Sequence, residues 1–225
     1  NPQWNNFKDA WVNGRLGLYM KNGLIVCLVK VPLGIICASM LAFALTRLKI
    51  TGSRGIFLFV LAGMMLPLQI VLIPLNIFYS HLGLTNTYLC LITAYIGFGV
   101  PLATLIFRGF FKSIPKELDD AAYIDGCNNW RLYASIILPL AKPAIATVFI
   151  IDFLNTWNEF MVQSVLVTKD VMKTVPAGLM SFFGEFSVDY GLLNAGVLMS
   201  IVPVLLVYLL FQRYFVNGVA GAVKG

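Results

Sequence analysis

The sequence predicts an all-α protein that crosses a membrane several times as a helical bundle. Three observations lead there. The chain is 59% hydrophobic and only 12% charged, whereas a soluble domain carries about a quarter charged residues; mean hydropathy is +0.84. Five apolar stretches each supply the roughly 20 residues that a helix needs to cross hydrocarbon. None shows the alternating segments of about ten residues that mark a membrane β-barrel.

The predicted spans are 18–45, 56–79, 88–110, 136–162 and 192–215, within one transmembrane domain over 1–225. Pro32, Pro67, Pro74, Pro101, Pro143 and Pro203 fall inside them. In a bundle such prolines kink a helix and neighbouring groups re-satisfy the freed carbonyls. A polar loop, 113–135, separates the third and fourth spans, and a small-residue tail, 216–225, closes the chain.

Basic residues set the orientation, because Lys and Arg accumulate on the cytoplasmic side. The first connection holds Arg47, Lys49 and Arg54; the second, 80–87, holds neither Lys nor Arg. The third holds Arg108, Lys112, Lys116 and Arg131, with Lys142 just beyond. In the fourth, Lys169 and Lys173 are offset by Asp170, Glu185 and Asp189, and the tail carries Arg213 and Lys224. The polar loop and the C-terminus are therefore expected in the cytoplasm and Asn1 outside. An external start calls for at least one further span upstream.

The net charge of +6 follows from this cytoplasmic bias, and no basic patch interleaved with aromatics points to nucleic acid. Cys27, Cys37, Cys90 and Cys127 form no CxxC pair and no cluster with His81, so neither a metal site nor a disulfide framework is expected.

The loop carries the densest local signals. Ser113 suits an N-cap and Pro115 a first turn, and Glu117, Asp119 and Asp120 favour the positive end of a helix. Gly126 suits the left-handed residue that stops it. Leu118, Ala121, Ala122 and Asp125 share a face by three-and-four spacing, with alanines small enough for close approach by a partner. A second helix is expected after Asn128 or Asn129, with Trp130, Tyr133 and Ile137 on one face, passing directly into the fourth span.

Asp120-Ala121-Ala122, three residues, Gly126, nine residues, Ile136, Ile137 and Leu138-Pro139 resemble the cytoplasmic EAA motif of permease subunits of binding-protein-dependent ABC importers, with Asp120 in place of the usual Glu. Arg108-Gly-Phe-Phe-Lys-Ser-Ile-Pro, Trp157-Asn-Glu-Phe160 and Gln212-Arg-Tyr-Phe215 resemble the carbohydrate-importer permeases of maltose type in particular. The resemblance implies six spans in the full subunit and a multi-pass location in a bacterial inner membrane. It implies a second permease, two ATP-binding subunits and an external solute-binding protein as partners. The first loop helix becomes a coupling helix that seats in an ATPase subunit. Glu117, Asp120, Ala121, Ala122, Asp125, Gly126, Leu138 and Pro139 then serve that contact. The tail, which by composition alone reads as a disordered end, would reach between the ATPases through Gly221, Val223 and Lys224. ATP and Mg belong to those partners, and no cofactor to this chain, which also lacks a GxxxxGK[ST] sequence.

Polar residues inside spans are candidates for a substrate path: Gln69, Asn76, Asn155, Trp157, Asn158 and Glu159. The same residue types also serve interhelical hydrogen bonds, and Trp157 suits an aromatic belt. Lys30 and Asp152, the charges deepest in apolar runs, are expected to pair or to line an aqueous cavity, with outward snorkelling open to Lys30. Segment 174–186, with Val175, Leu179, Phe182 and Phe183, reads as an external amphipathic element, either at the membrane interface or facing the binding protein. A glycerol phosphate or polyol importer is the alternative within the family. An ion-coupled secondary transporter would need intramembrane ion sites, usually in inverted repeats. An intramembrane enzyme would need a nucleophile beside a base, and His81 lies in a turn.

Overall fold

The computed structural model describes residues 3–183 and 189–222, with side chains as far as residue 212. Twelve helices are described: α1 (Asn5–Val12), α2 (Leu16–Arg47), α3 (Ser53–Ala62), α4 (Leu68–His81), α5 (Tyr88–Ser113), α6 (Glu117–Ile124), α7 (Asn129–Arg131), α8 (Leu138–Leu140), α9 (Lys142–Trp157), α10 (Met161–Leu166), α11 (Val175–Leu179) and α12 (Tyr190–Ala222). A π-helical stretch, Leu132–Ile137, joins α7 to α8. Three helices, α2, α5 and α12, are long and apolar enough to cross a membrane, and there are five spans if each of two bent pairs counts as one.

The bent pairs go beyond the proline kinks expected in the second and fourth spans. Ser53–Met65 and Leu68–His81 meet at 97°. The cause is local: a proline disfavours the helical region for the residue before it, and Leu66, before Pro67, is extended at φ −77°, ψ 120°. Asn129–Leu140 and Lys142–Trp157 meet at 76°. Pro143 has no N–H to donate and its ring crowds the carbonyl four residues back, so the chain turns at Ala141 (φ −83°, ψ 13°). The second loop helix therefore does not run straight into the fourth span. Pro32, Pro74, Pro101 and Pro203 stay within their helices.

Packing divides the chain into two compact units, Asn1–Lys30 with Pro67–Tyr95 and Phe153–Leu210, and Val31–Leu66 with Ile96–Asp152 and Phe211–Gly225. In the first, Ala10, Phe182 and Ala195 form a buried cluster, flanked by Phe7, Leu179, Leu192, Leu193 and Met199. Segment 174–183 thus turns Val175 and Phe182 into protein rather than lying on lipid by its whole apolar face, while Phe183 stays exposed. Gly178 presses on the ring of buried Tyr19, where a Cβ would come within 2.1 Å.

The same unit pins its loop 167–174 to the start of α2. Asp170 accepts from Tyr19 Oη at 3.0 Å and Arg15 Nη1 at 3.1 Å, and pairs with Lys173 at 3.2 Å. Buried Asn22 donates to the carbonyls of Val171 and Lys173 at 2.9 and 2.8 Å and accepts from Tyr88 Oη at 2.7 Å. Burial pushes the Asp170 carboxyl up, but hydrogen bonds from Tyr19, Lys173 and Arg15 outweigh it and hold it below the usual carboxylate range.

In the second unit Phe107 and Phe111 of α5 pack at 5.8 Å, and Phe43 of α2 meets Tyr133 of the π-helical stretch at 5.2 Å. Ser39 and Tyr133 share a buried hydrogen bond of 2.8 Å.

Candidate functional site

The polar loop folds as two helical pieces within the second unit. Ser113 ends α5 instead of capping α6, and its Oγ donates to the Phe110 carbonyl at 2.7 Å. α6 starts at Glu117 after Lys116, with Glu117, Asp119 and Asp120 in its first turn, where the helix dipole favours negative charge. It stops as predicted: Gly126 is left-handed at φ 76°. Its N–H donates to Tyr123 O at 3.0 Å, and Cys127 N–H donates to Ala122 O at 2.9 Å. That bond pair is the Schellman closure. Asn128 caps α7 by accepting from Arg131 N at 2.8 Å.

The faces of α6 differ from those expected. Ala122 is buried and Ala121 is exposed, so the two alanines are not on one outward face. Asp119 and Ala122 turn inward. Glu117, Asp120, Ala121 and Ile124, related by three-and-four spacing, are all exposed, Ile124 at 86%. Leu118, Tyr123, Asp125 and Gly126 are exposed as well. Of the later motif residues, Leu138 is half-buried and Pro139 exposed. Trp130 is 62% exposed while Tyr133 and Ile137 are buried, so the predicted common face is only partly a packing face.

A residue that the sequence marked only for topology holds this loop. Arg47, the last residue of α2, donates through Nη1 to Asp119 Oδ2 at 2.8 Å. Its Nη2 donates to the carbonyls of Phe111 and, at 2.7 Å, Ile114. Those carbonyls belong to the end of α5 and its exit, where intrahelical donors run out. Both charged side chains are sequestered, at 2% and 11% exposure.

The substrate-path candidates fall into two groups. Trp157 is buried, stacks on Phe153 at 5.9 Å and donates to Ser200 O at 3.2 Å. Glu159 accepts from Tyr95 Oη at 2.7 Å and from the N–H groups of Val162 and Gln163 at 2.8 and 3.1 Å, which caps α10. Asn76 donates to Val165 O at 2.7 Å. These three have internal partners. Gln69 is exposed and reaches Met161 Sδ at 3.7 Å, Asn158 is exposed and bonds back to Leu154 O, and Asn155 is exposed. Lys30 and Asp152 are both buried, the Asp152 carboxylate lying 3.4 Å from where a Cβ on Gly34 would sit. Val223 and Lys224 lie outside the described residues, and of Gly221 only the helical backbone is described.

The family model for the inner membrane component of binding-protein-dependent transport systems matches residues 30–220. The chain belongs to this family. Among curated relatives, this permease is 37% identical over 221 residues to the probable ABC transporter permease protein YurM of Bacillus subtilis, covering 98% of the chain and 73% of that protein. It is 33% identical over 220 residues to the diacetylchitobiose uptake system permease protein NgcG of Streptomyces coelicolor, covering 97% and 73%. Its fold matches a chain of a bacterial ABC transporter for import of the acidic polysaccharide alginate, with TM-score 0.83, 23% identity and 95% and 80% coverage. The α6–α8 loop of the permease therefore sits in a multi-pass inner membrane protein of an ABC transport system, not in a soluble domain.

Proposed function

We propose that this permease carries a carbohydrate, delivered by an external solute-binding protein, across the membrane by alternating access, and that its α6 docks on an ATP-hydrolysing partner. The observation that carries the docking is the outward face of α6: Glu117, Asp120, Ala121 and Ile124 are exposed on a helix whose other face is held from within. A small residue between an acid and a large apolar side chain suits a cleft with a basic rim and an apolar floor. A second permease completes the path, and ATP and Mg stay with the ATPase subunits. The basic residues of the first and third connections support a cytoplasmic position for the loop and the C-terminus. The diacetylchitobiose relative supports a glycan as the solute, and Gln69, Asn155 and Asn158 are the exposed polar candidates to meet it.

The test is co-expression with the cognate ATPase and binding protein, reconstitution in vesicles, and uptake of labelled oligosaccharide with ATP inside. Asp120→Lys is expected to cut binding-protein-stimulated ATP hydrolysis about tenfold, the size of a lost charge-assisted contact. Uptake that persists without ATP under an ion gradient would refute the proposal.

A further inference from the structure

We propose, on the reading that α6 docks an ATPase, that Arg47 and Asp119 are the positioning pair that ties the docking helix to α2, so that α2 moves with it. α6 has eight residues, and Asp119 and Ala122 are its buried ones. A helix this short is marginal on its own, so its place is set by what it is fastened to. Ala122 offers one methyl. Arg47 offers a bond to Asp119 on α6 together with bonds to the Phe111 and Ile114 carbonyls at the end of α5. One guanidinium thus fixes three segments at one point.

The chemistry argues for position over stability. Arg47 Nε and Asp119 Oδ1 are buried without a hydrogen bond. A buried pair with unsatisfied atoms is a weak stabiliser, because desolvation offsets the attraction, and its best-attested use is to fix register. The guanidinium's planar fork defines an orientation that a lysine ammonium does not. The other half of the loop is fastened to the same helix: Tyr133, in the π-helical stretch, meets Ser39 of α2 at 2.8 Å. Ser39 and Arg47 are about 12 Å apart along α2 at 1.5 Å per residue. Two attachments this far apart on one helix convert a shift of the loop into a tilt of α2, where one would leave a pivot.

The experiment uses the assembled importer in vesicles with Asp119→Asn and Arg47→Lys. Assembly by co-purification, ATP hydrolysis, uptake and amide exchange of residues 117–127 are measured together, with a cysteine cross-link from Ile124→Cys to the ATPase. The expected result is intact assembly and cross-linking, ATP hydrolysis within about twofold of the parent, faster exchange in α6, and solute moved per ATP lowered about tenfold, within the range of coupling between linked sites. An unchanged ratio of uptake to hydrolysis with the cross-link intact overturns the positioning role and leaves the docking. Loss of assembly in both variants assigns the pair to folding alone and also overturns it. Absence of the cross-link in the parent overturns docking and positioning together.

Discussion

Gly178→Ala is expected to be among the more damaging single-methyl additions in this permease. A Cβ at position 178 would lie 2.1, 2.4 and 2.5 Å from Cδ2, Cγ and Cε2 of Tyr19, inside the contact distance of any carbon pair. Tyr19 cannot simply swing away, since it is 2% exposed and its hydroxyl is bonded to Asp170. Overpacking of this kind costs about 1–3 kcal/mol, and displacing the ring forfeits a hydrogen bond to a charged acceptor, worth about 1.5–3 kcal/mol. A net loss of about 3 kcal/mol corresponds to a fall in Tm of roughly 6–12 °C for a chain of this size. The assay is thermal unfolding of the purified protein in detergent, followed by tryptophan fluorescence, beside Gly97→Ala. Gly97 lies within α5 with nothing within 4 Å of where its Cβ would sit, so alanine there is expected to be neutral or stabilising by up to about 1 kcal/mol. A Gly178→Ala protein that melts within about 2 °C of the parent refutes the reasoning.

Gly126→Ala places a side chain at φ 76°, at a cost of about 1–2 kcal/mol. Amide exchange over residues 122–127 should rise while the rest of the chain is unchanged. The depressed Asp170 carboxyl gives a pH dependence of fixed sign. Its contribution is complete above the unfolded value near 3.9 and is lost as pH falls through the lower folded value. Limited proteolysis near residues 167–174 should therefore stay flat from neutral pH down to about 4 and rise below it, and Asp170→Asn should remove that low-pH step.

The apolar helices were legible because hydropathy is additive along the chain, and the membrane rewards every apolar residue in a run of 20 or so. The stop of α6 was legible because only a residue tolerant of positive φ closes a Schellman turn, and Gly126 stood where one was needed. The breaks at Leu66 and Ala141 were written in Pro67 and Pro143 but read as kinks. How far a proline bends a helix depends on what receives the freed carbonyls, and that is set by distant packing. Asp119 and Asp120 are adjacent in sequence yet about 100° apart around a helix, and composition does not say which turns inward. Arg47, 72 residues away, decides it. For the same reason Arg47 read as a topological charge, and for Trp157 and Glu159 the sequence left a substrate path and an internal hydrogen bond both open. Their partners Ser200 and Tyr95 lie 43 and 64 residues off.

Asn22 also sets a schedule for synthesis. Its amide is buried on α2, but the carbonyls that accept from it belong to Val171 and Lys173, 149 and 151 residues later. At about 5–20 residues per second, the ribosome needs roughly 8–30 s to deliver them. Throughout that interval an apolar helix carries an amide without its final acceptors. The start of α2 must meanwhile stay near water or borrow a temporary partner, and the first compact unit locks only after most of the chain has been made.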